Sequence, residues 1–294
     1  MAFKAEIKSL KNEVAKEAPS IIHKAGKPYS TKVVSVDTLV GPKGGLGEVC
    51  HIILDHGGLF HFVEGQYLGV ILHPDDDDDS LHTPFRVIIH AFSIASCRDG
   101  DSFDGEKLSL CVRRAELSPH DASNFLCNRK EGDEVDIIGP FAKTMVFPEN
   151  PEAMHIMVAT ATGIAPFRSN IQRLFVDPQV PKGKFNGLAW LINGADNYNT
   201  LLYNKEFTCI LKDNIDHFRY ETALNNSVAD RIYENGDEIF TLLDEGAYIY
   251  FAGSKTMMPG ILETFQKMAK ERGVIWEEML ARLKKNNQWR VEVY

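Results

Sequence analysis

The sequence predicts two domains in tandem: an antiparallel β-barrel followed by a parallel-sheet α/β domain. The chain has 294 residues, which suits two domains of ordinary size. Short β-rich runs with glycine-punctuated turns fill residues 31–150. Apolar strands alternate with helical sequence across residues 151–294, which is typical of βαβ units. Residues 1–30 precede both domains as an N-terminal extension.

The extension carries a narrow apolar stripe. Phe3, Ile7, Leu10 and Val14 recur at 4-3-4 spacing, which places them on one face of a helix. Two interpretations stay open: the helix packs on its own domain or frays, or it docks on another protein. The second interpretation makes residues 1–18 the contact segment for a protein partner.

The predicted barrel strands are short β-rich runs, and a glycine-rich turn at 41–47 follows the first of them. The strands are 32–36, 50–54, 108–112 and 135–138. Five consecutive aspartates at 75–79 predict a solvated loop, because the glycine and ligand spacing of a calcium loop are missing.

The second domain begins with a buried strand at 155–159, which leads into the turn Thr160-Ala161-Thr162-Gly163. Further strands at 187–192 and 247–252 are each followed by helical sequence. The alternation predicts a parallel sheet whose ligand crevice lies at the carboxyl ends of its strands.

Charge and composition exclude several function classes. The formal net charge is −9, and residues 32–150 hold 10 Lys and Arg against 20 Asp and Glu. This balance argues against nucleic-acid binding, which needs clustered cations. No apolar run is long enough for a membrane span. Five scattered cysteines without a C-x-x-C pair indicate reduced thiols, and no metal-binding motif is present.

Eight motifs occur along the chain in a fixed order. They are 39–43 (LVGPK), 64–66 (EGQ), 100–105 (GDSFDG), 110–114 (LCVRR), 123–127 (SNFLC), 163–168 (GIAPFR), 257–260 (MMPG) and 291–294 (VEVY). Together they resemble the plant-type ferredoxin–NADP reductase family from about residue 29 to the last residue. The resemblance implies a flavin-binding barrel, a pyridine-nucleotide domain and electron exchange between ferredoxin and NADP(H) through FAD. It also implies a plastid location, in the stroma or at the thylakoid surface. The N-terminus has no apolar signal core, so we expect any organelle-targeting peptide to be missing from this sequence.

The resemblance assigns three catalytic residues. Ser93 matches the serine near the reactive nitrogen of the flavin, and Glu292 matches the carboxylate that orients nicotinamide and relays protons. Tyr294 matches the terminal tyrosine that stacks over the flavin and yields to nicotinamide. The cofactor-binding positions implied by the family are His90, Phe92, Ser93, Cys111, Arg113, Ser123, Thr162 and Tyr294.

The flavin contacts depart from the family pattern. His90 stands where the family has the arginine that grips the flavin pyrophosphate, and Phe92 stands where it has a tyrosine. Arginine binds a phosphate bidentately, whereas a neutral histidine offers one donor. Residues 115–120 lack the tyrosine on which the FAD adenine stacks. These substitutions predict that FAD binding is retained only in weakened form.

The nucleotide contacts depart further. Ala161 replaces a glycine of the Thr-Gly-Thr-Gly turn, and Ala252 replaces the cysteine that touches nicotinamide. Asn225 and Asn226 replace the Ser-Arg pair that clamps the 2′-phosphate of NADP, which leaves Arg231 as the nearest cation. NADP binding is therefore predicted to be lost.

Two hypotheses of function follow. The first is a pseudoenzyme: a reductase-like body that serves as a structural or docking subunit of a larger plastid assembly, because substitutions concentrate at ligand contacts. The alternative is an active FAD-dependent ferredoxin–NAD(P)H oxidoreductase. The acidic barrel disfavours an acidic ferredoxin as partner. The first hypothesis is the main prediction.

Overall fold

The computed structural model of the protein describes residues 19, 21–72, 88–115, 121–225 and 228–294. The chain forms two compact units. The first is Met1–Phe147 with Arg168–Arg173, and the second is Pro148–Phe167 with Leu174–Tyr294. The predicted docking helix in residues 1–18, the loop at 75–79, residues 116–120 and Asn226 lie outside the described residues. The functional division into 1–30, 31–150 and 151–294 stays a prediction.

The first unit is built on a six-stranded antiparallel sheet of order β4-β3-β6-β1-β2-β5. Its strands are β1 Tyr29–Val40, β2 Val49–Asp55, β3 Tyr67–Leu72, β4 Ile88–Ser93, β5 Lys107–Arg113 and β6 Glu134–Phe141. An isolated bridge between Ile94 and Leu110 joins the end of β4 to β5, so the two edge strands meet. Edge pairing of this kind closes a sheet into a barrel.

Buried and partly exposed side chains alternate along β2, as expected for a strand with one face in the barrel core. Cys50, Ile52 and Leu54 of β2 are fully buried, whereas His51 and Ile53 between them are partly exposed. Successive side chains of a strand point to opposite faces, so one face of β2 fills the barrel. A short helix, α1 Ala122–Cys127, covers part of this core.

The second unit is built on a five-stranded parallel sheet of order β11-β10-β7-β8-β9. Its strands are β7 Met154–Thr160, β8 Leu188–Ala195, β9 Phe218–Leu224, β10 Tyr248–Gly253 and β11 Trp289–Val293. The helices along the second half of the chain are α2 Ala165–Phe175, α3 Asn204–Asp213, α4 Val228–Glu234, α5 Gly236–Asp244, α6 Met258–Glu271 and α7 Trp276–Lys285.

The central strands of the second unit are buried along almost their whole length, as expected for a parallel sheet covered on both faces. Trp190, Trp276 and Trp289 all belong to one core cluster in this unit. The predicted fold class, a barrel followed by a parallel α/β domain, is confirmed. Among the described residues, no helix is long and apolar enough to cross a bilayer.

Candidate functional site

The strand order of the second sheet reverses between β7 and β10. From β7 the chain proceeds outward through β8 and β9, and it then returns to the other side of β7 as β10 and β11. Ligands of open α/β sheets bind outside the carboxyl ends of the strands at such a reversal. The turn Ala161–Ile164 follows β7 at this point, and Gly253 ends β10.

Two glycines let this turn and the end of β10 touch backbone to backbone. A Cβ on Gly163 would lie 2.3 Å from the carbonyl group of Ala252. A Cβ on Gly253 would lie 2.3 Å from the carbonyl oxygen of Thr160. Both distances are far below van der Waals contact, so any larger residue at either position would separate the turn from the strand.

Ala161 has the backbone conformation that its family glycine would adopt without strain. Its φ is +50°, in the left-handed region, where a Cβ costs about 1–2 kcal/mol. The glycine-to-alanine substitution identified from the sequence therefore lies at a position whose backbone conformation favours glycine. The turn keeps its shape despite the added methyl group.

Tyr294 is held at the same place by both its backbone and its side chain. Its N–H donates to the carbonyl oxygen of Gly253 at 3.1 Å, and its carbonyl oxygen accepts from the N–H of Lys255 at 3.0 Å. Its phenol oxygen lies 2.6 Å from the Thr162 hydroxyl. The side chain is nevertheless 61% exposed. The structure thus brings Thr162 and Tyr294, two predicted site residues, into direct contact.

Glu292 reaches the same edge through the register of β11. It is paired with Ala252 of β10, and Ala252 is paired on its other side with Ala159 of β7. Ala252 is buried, so the position of the family cysteine holds a small side chain within the sheet. Thr162, Glu292 and Tyr294 therefore all belong to the carboxyl-end edge of this sheet.

The end of β9 carries the positions that the resemblance assigns to the 2′-phosphate of NADP. Asn225 adopts φ +57° and donates its N–H to the carbonyl oxygen of Asp196. Arg231 of α4 lies 2.8 Å from Glu234 and 3.6 Å from Glu221. The cation expected from the sequence is thus paired with two carboxylates.

In the first unit, the predicted flavin residues lie on β4, β5 and α1. Ser93 is the last residue of β4, and the Ile94–Leu110 bridge places it beside β5. Leu110 and Val112 of β5 fill the barrel core, so the alternation of the strand turns Cys111 and Arg113 to the other face. Arg113 is exposed at the end of its strand.

His90 faces a carboxylate that sequence analysis did not identify. Its Nδ1 lies 3.8 Å from Oδ2 of Asp121, the N-cap residue of α1. The other oxygen of Asp121 accepts from the Ser123 N–H at 2.8 Å and from its hydroxyl at 2.6 Å. Aspartate is a common N-cap residue, so the sequence could have identified Asp121 as the cap of α1 and its bond to Ser123, but not its approach to His90. His90, Asp121 and Ser123 consequently form one linked group.

These residues match the chemistry of a cofactor that carries phosphate and an aromatic ring system. The exposed cation Arg113 suits a phosphate, and Ser93 at the end of β4 carries a hydroxyl that suits a ring nitrogen. The partly buried ring of Phe92 offers a stacking surface. The donor set of the first unit therefore fits FAD. Within the described part of the chain, no group of three or more His, Cys, Asp or Glu side chains is placed to hold a metal ion.

Comparison with known proteins identifies the family. Residues 157–263 match the oxidoreductase NAD-binding domain family. The chain is 48% identical to the chloroplastic root isozyme of ferredoxin–NADP reductase from Oryza sativa subsp. japonica, over 99% of this chain and 82% of that protein. The chain belongs to the plant-type ferredoxin–NADP reductase family. It is also 49% identical to the chloroplastic root-type isozyme of Nicotiana tabacum, over 99% of this chain and 82% of that protein.

A solved structure of the reductase family shares the fold. Ferredoxin–NADP+ reductase from Plasmodium falciparum superposes with a TM-score of 0.74 at 21% identity, over 94% of this chain and 99% of that chain. The plastid location implied by the resemblance is confirmed, because the rice and tobacco reductases that match 99% of this chain are chloroplastic isozymes.

The main functional prediction from sequence is wrong. Relatives at 48–49% identity over 99% of the chain are ferredoxin–NADP reductases, which contradicts a pseudoenzyme and favours the active alternative. The predictions that FAD binding is weakened and that NADP binding is lost are wrong for the same reason. The physical error was to treat each substituted contact as a lost one. Ala161 keeps the turn conformation, and Arg113 still presents a cation.

Proposed function

We propose that this chain is an active FAD-dependent oxidoreductase that passes electrons between ferredoxin and NADP(H). The observation that carries the proposal is the terminal Tyr294 at the carboxyl-end edge of the parallel sheet, bonded to Thr162 of the nucleotide turn. Near-complete coverage by ferredoxin–NADP reductases at 48–49% identity supports it. Residues 31–150 are proposed to bind the flavin and residues 151–294 the nucleotide.

The proposed FAD contacts come from β4, β5 and α1. Arg113 would offset the negative charge of the diphosphate, and the His90 ring would lie near it. With FAD bound, the ring of Phe92 would stack on the isoalloxazine, and Ser123, whose hydroxyl donates to Asp121, would lie beside the diphosphate. Cys111 lies beside these contacts on β5. FAD, when bound, supplies the exchange between two-electron hydride transfer and one-electron transfer.

The proposed catalytic roles belong to three side chains. With FAD bound, the Ser93 hydroxyl would hold a proton in a hydrogen bond to the flavin ring. The Glu292 carboxylate orients the nicotinamide amide and exchanges protons with solvent. The Tyr294 ring would occupy the nicotinamide position and exclude water until the nucleotide displaces it, and the Thr162 hydroxyl holds the ring there. Ferredoxin is the proposed protein partner.

The test is a visible spectrum followed by a reductase assay. The purified protein should show flavin absorption after incubation with FAD and desalting, and it should reduce ferredoxin-coupled cytochrome c with NADPH. Ser93→Ala should lower kcat by at least about 100-fold while keeping the flavin spectrum, since a positioned proton donor typically contributes that much. Ser35→Ala, on β1, is the matched control and should leave kcat unchanged. A folded protein that stays colourless would overturn the proposal.

A further inference from the structure

Two cysteines of the first unit converge on one residue of β5. Cys50 of β2 is fully buried, and Cys127 at the end of α1 is 8% exposed. Cys50 is the register partner of Val112 across the β2–β5 ladder. The Cys127 thiol donates to the carbonyl oxygen of the same Val112 at 3.9 Å. The two thiols are also hydrogen-bonded to each other, so their sulfur atoms are neighbours.

The surroundings of the pair are asymmetric. A buried ion pair lies beside it, with Arg114 Nε 2.8 Å from Glu48 Oε2. The hydrogen bond from Cys50 lowers the pKa of Cys127, and the Arg114 charge lowers it further against the effect of burial. The pKa of Cys50 is raised by the same hydrogen bond and by burial. Cys127 is therefore the more acidic thiol of the pair, and it is also the more exposed of the two.

We propose that Cys50 and Cys127 are a redox-active dithiol that closes to an intramolecular disulfide when the protein meets hydrogen peroxide. Peroxide is small enough to reach a thiol that is only 8% exposed. Thiolate character and access together determine which cysteines a peroxide oxidises. The pair supplies an attacking thiol and a resolving thiol in contact, which a single cysteine cannot.

Hydrogen peroxide is the only oxidant that this reaction needs. The Cys127 thiolate attacks one peroxide oxygen, the O–O bond breaks, and the leaving hydroxide takes up a proton as water. The Cys50 sulfur then attacks the Cys127 sulfenic acid, the S–O bond breaks, and the second hydroxide leaves with the Cys50 proton as water. Two thiols lose two electrons to one peroxide, and one disulfide and two waters result.

The other cysteines are placed differently. Cys111 neighbours Val112 on β5, so the alternation of the strand turns it to the opposite face from Val112. The Cys97 thiol donates to the carbonyl oxygen of Gly100 at 3.6 Å. Cys209 is exposed on α3 of the second unit. A disulfide between Cys50 and Cys127 would tie α1 to β2 and close a long loop, which raises the thermal midpoint of unfolding.

The experiment treats the reduced full chain with a small excess of hydrogen peroxide, alkylates remaining thiols and maps peptides by mass spectrometry without reduction. We expect one cross-linked peptide pair containing Cys50 and Cys127, reversed by dithiothreitol, and a higher thermal midpoint. Cys209→Ser is the control variant and should keep the cross-link. Recovery of Cys50 and Cys127 as free thiols while Cys209 is oxidised would overturn the proposal.

Two single variants test the assigned order of attack. Cys50→Ser should leave Cys127 as a sulfenic acid that dimedone labels, whereas Cys127→Ser should leave Cys50 unlabelled. Equal labelling of Cys50 in the second variant would overturn the assignment of Cys127 as the attacking thiol. Circular dichroism reports whether each variant is folded, and the cross-link in the unsubstituted chain tests the pair even where a variant does not fold.

Discussion

The Thr162 hydroxyl and the Tyr294 phenol oxygen lie 2.6 Å apart, which joins the turn after β7 to the last residue of the chain. Tyr294 is 61% exposed, so this bond restrains a side chain that solvent can otherwise reach. In the proposed enzyme, nicotinamide must displace the Tyr294 ring. The bond therefore opposes nucleotide binding, and its strength should be measurable in the KM for NADPH.

Tyr294→Phe should lower the KM for NADPH about fivefold with a smaller change in kcat, because one hydrogen bond contributes roughly 1 kcal/mol net. Thr162→Val removes the same bond and should have the same effect. The double variant should add nothing, as expected for two partners in one interaction. Tyr233→Phe is the control, since its hydroxyl donates to Glu271 on the surface. Additive effects of the two substitutions would contradict the prediction.

Ala161→Gly should stabilise the protein. At φ +50° alanine is strained and glycine is not, so the free energy of unfolding should rise by about 1 kcal/mol. Ala281→Gly makes the same chemical change at an exposed position inside α7 and should lower it by about 1 kcal/mol. Thermal midpoints of the two variants should therefore move in opposite directions. A lower midpoint for Ala161→Gly would show that the turn does not carry this strain.

Local patterns in the sequence predicted much of this fold. The run 50–54 is predicted as a strand and lies within β2, and 155–159 lies within β7. The importance of position 161 also follows from sequence, because a glycine requirement is a property of the local backbone. The contacts His90–Asp121 and Thr162–Tyr294 could not be predicted from local sequence. The tertiary fold brings these residues together over long sequence separations.

The functional prediction failed for a different reason. Five substituted regions, namely His90, residues 115–120, Ala161, Ala252 and residues 225–226, were counted together as losses of ligand contacts. A site tolerates such changes when the backbone keeps its shape and neighbouring groups supply charge or ring surface. The 48–49% identity with the plant reductases over 99% of the chain is stronger evidence for activity than the number of substituted contacts is against it. Counting substituted contacts therefore predicted a loss of activity, whereas similarity to the plant reductases supports an active enzyme.

Asp101→Asn should destabilise the first unit strongly. The Asp101 carboxylate lies 2.8 Å from Arg168 Nη1 and 2.9 Å from His51 Nε2, and it accepts from Gln172 at 3.0 Å. Burial raises the pKa of Asp101, but the His51 hydrogen bond and the Arg168 charge outweigh it and hold the pKa well below its usual range. Substitution leaves Arg168 buried beside a neutral amide, at a cost of about 3 kcal/mol.

The pH dependence follows from this depressed pKa. The stabilisation by Asp101 is fully present above the ordinary carboxyl pKa of 3.8 and is lost as the pH falls toward the folded value. The difference between wild type and Asp101→Asn, measured by urea unfolding with circular dichroism, should therefore shrink between pH 5 and pH 3. Asp104→Asn is the control, because Asp104 pairs with Lys107 near the surface and should contribute less than about 1 kcal/mol. A constant difference across this range would count against the network.

His155 should make the second unit acid-sensitive. It is buried, and its Nδ1 lies 3.1 Å from the Tyr250 hydroxyl while its ring stacks near Tyr248 and Phe185. Burial, aided by the charge of Arg290, lowers the pKa of His155 from 6.5 to about 3. The unfolded chain therefore binds a proton between pH 6.5 and pH 3 that the folded chain does not. The free energy of unfolding is unaffected by His155 titration above that range, and it falls by about 1.4 kcal/mol per pH unit within it.

His155→Gln keeps a polar partner for Tyr250 but removes the titrating ring. The variant should be less stable than wild type at pH 7, because ring packing is lost. The difference in unfolding free energy between wild type and variant should shrink by about 2 kcal/mol between pH 7 and pH 5. Only the wild type loses stability in this range, because its unfolded chain binds a proton at His155 and its folded chain does not. Tryptophan fluorescence during urea unfolding reports this unit selectively, because Trp190, Trp276 and Trp289 all lie in its core. His61→Gln, at an exposed position of the first unit, is the control, and a gap that stays constant in His155→Gln would refute the assignment.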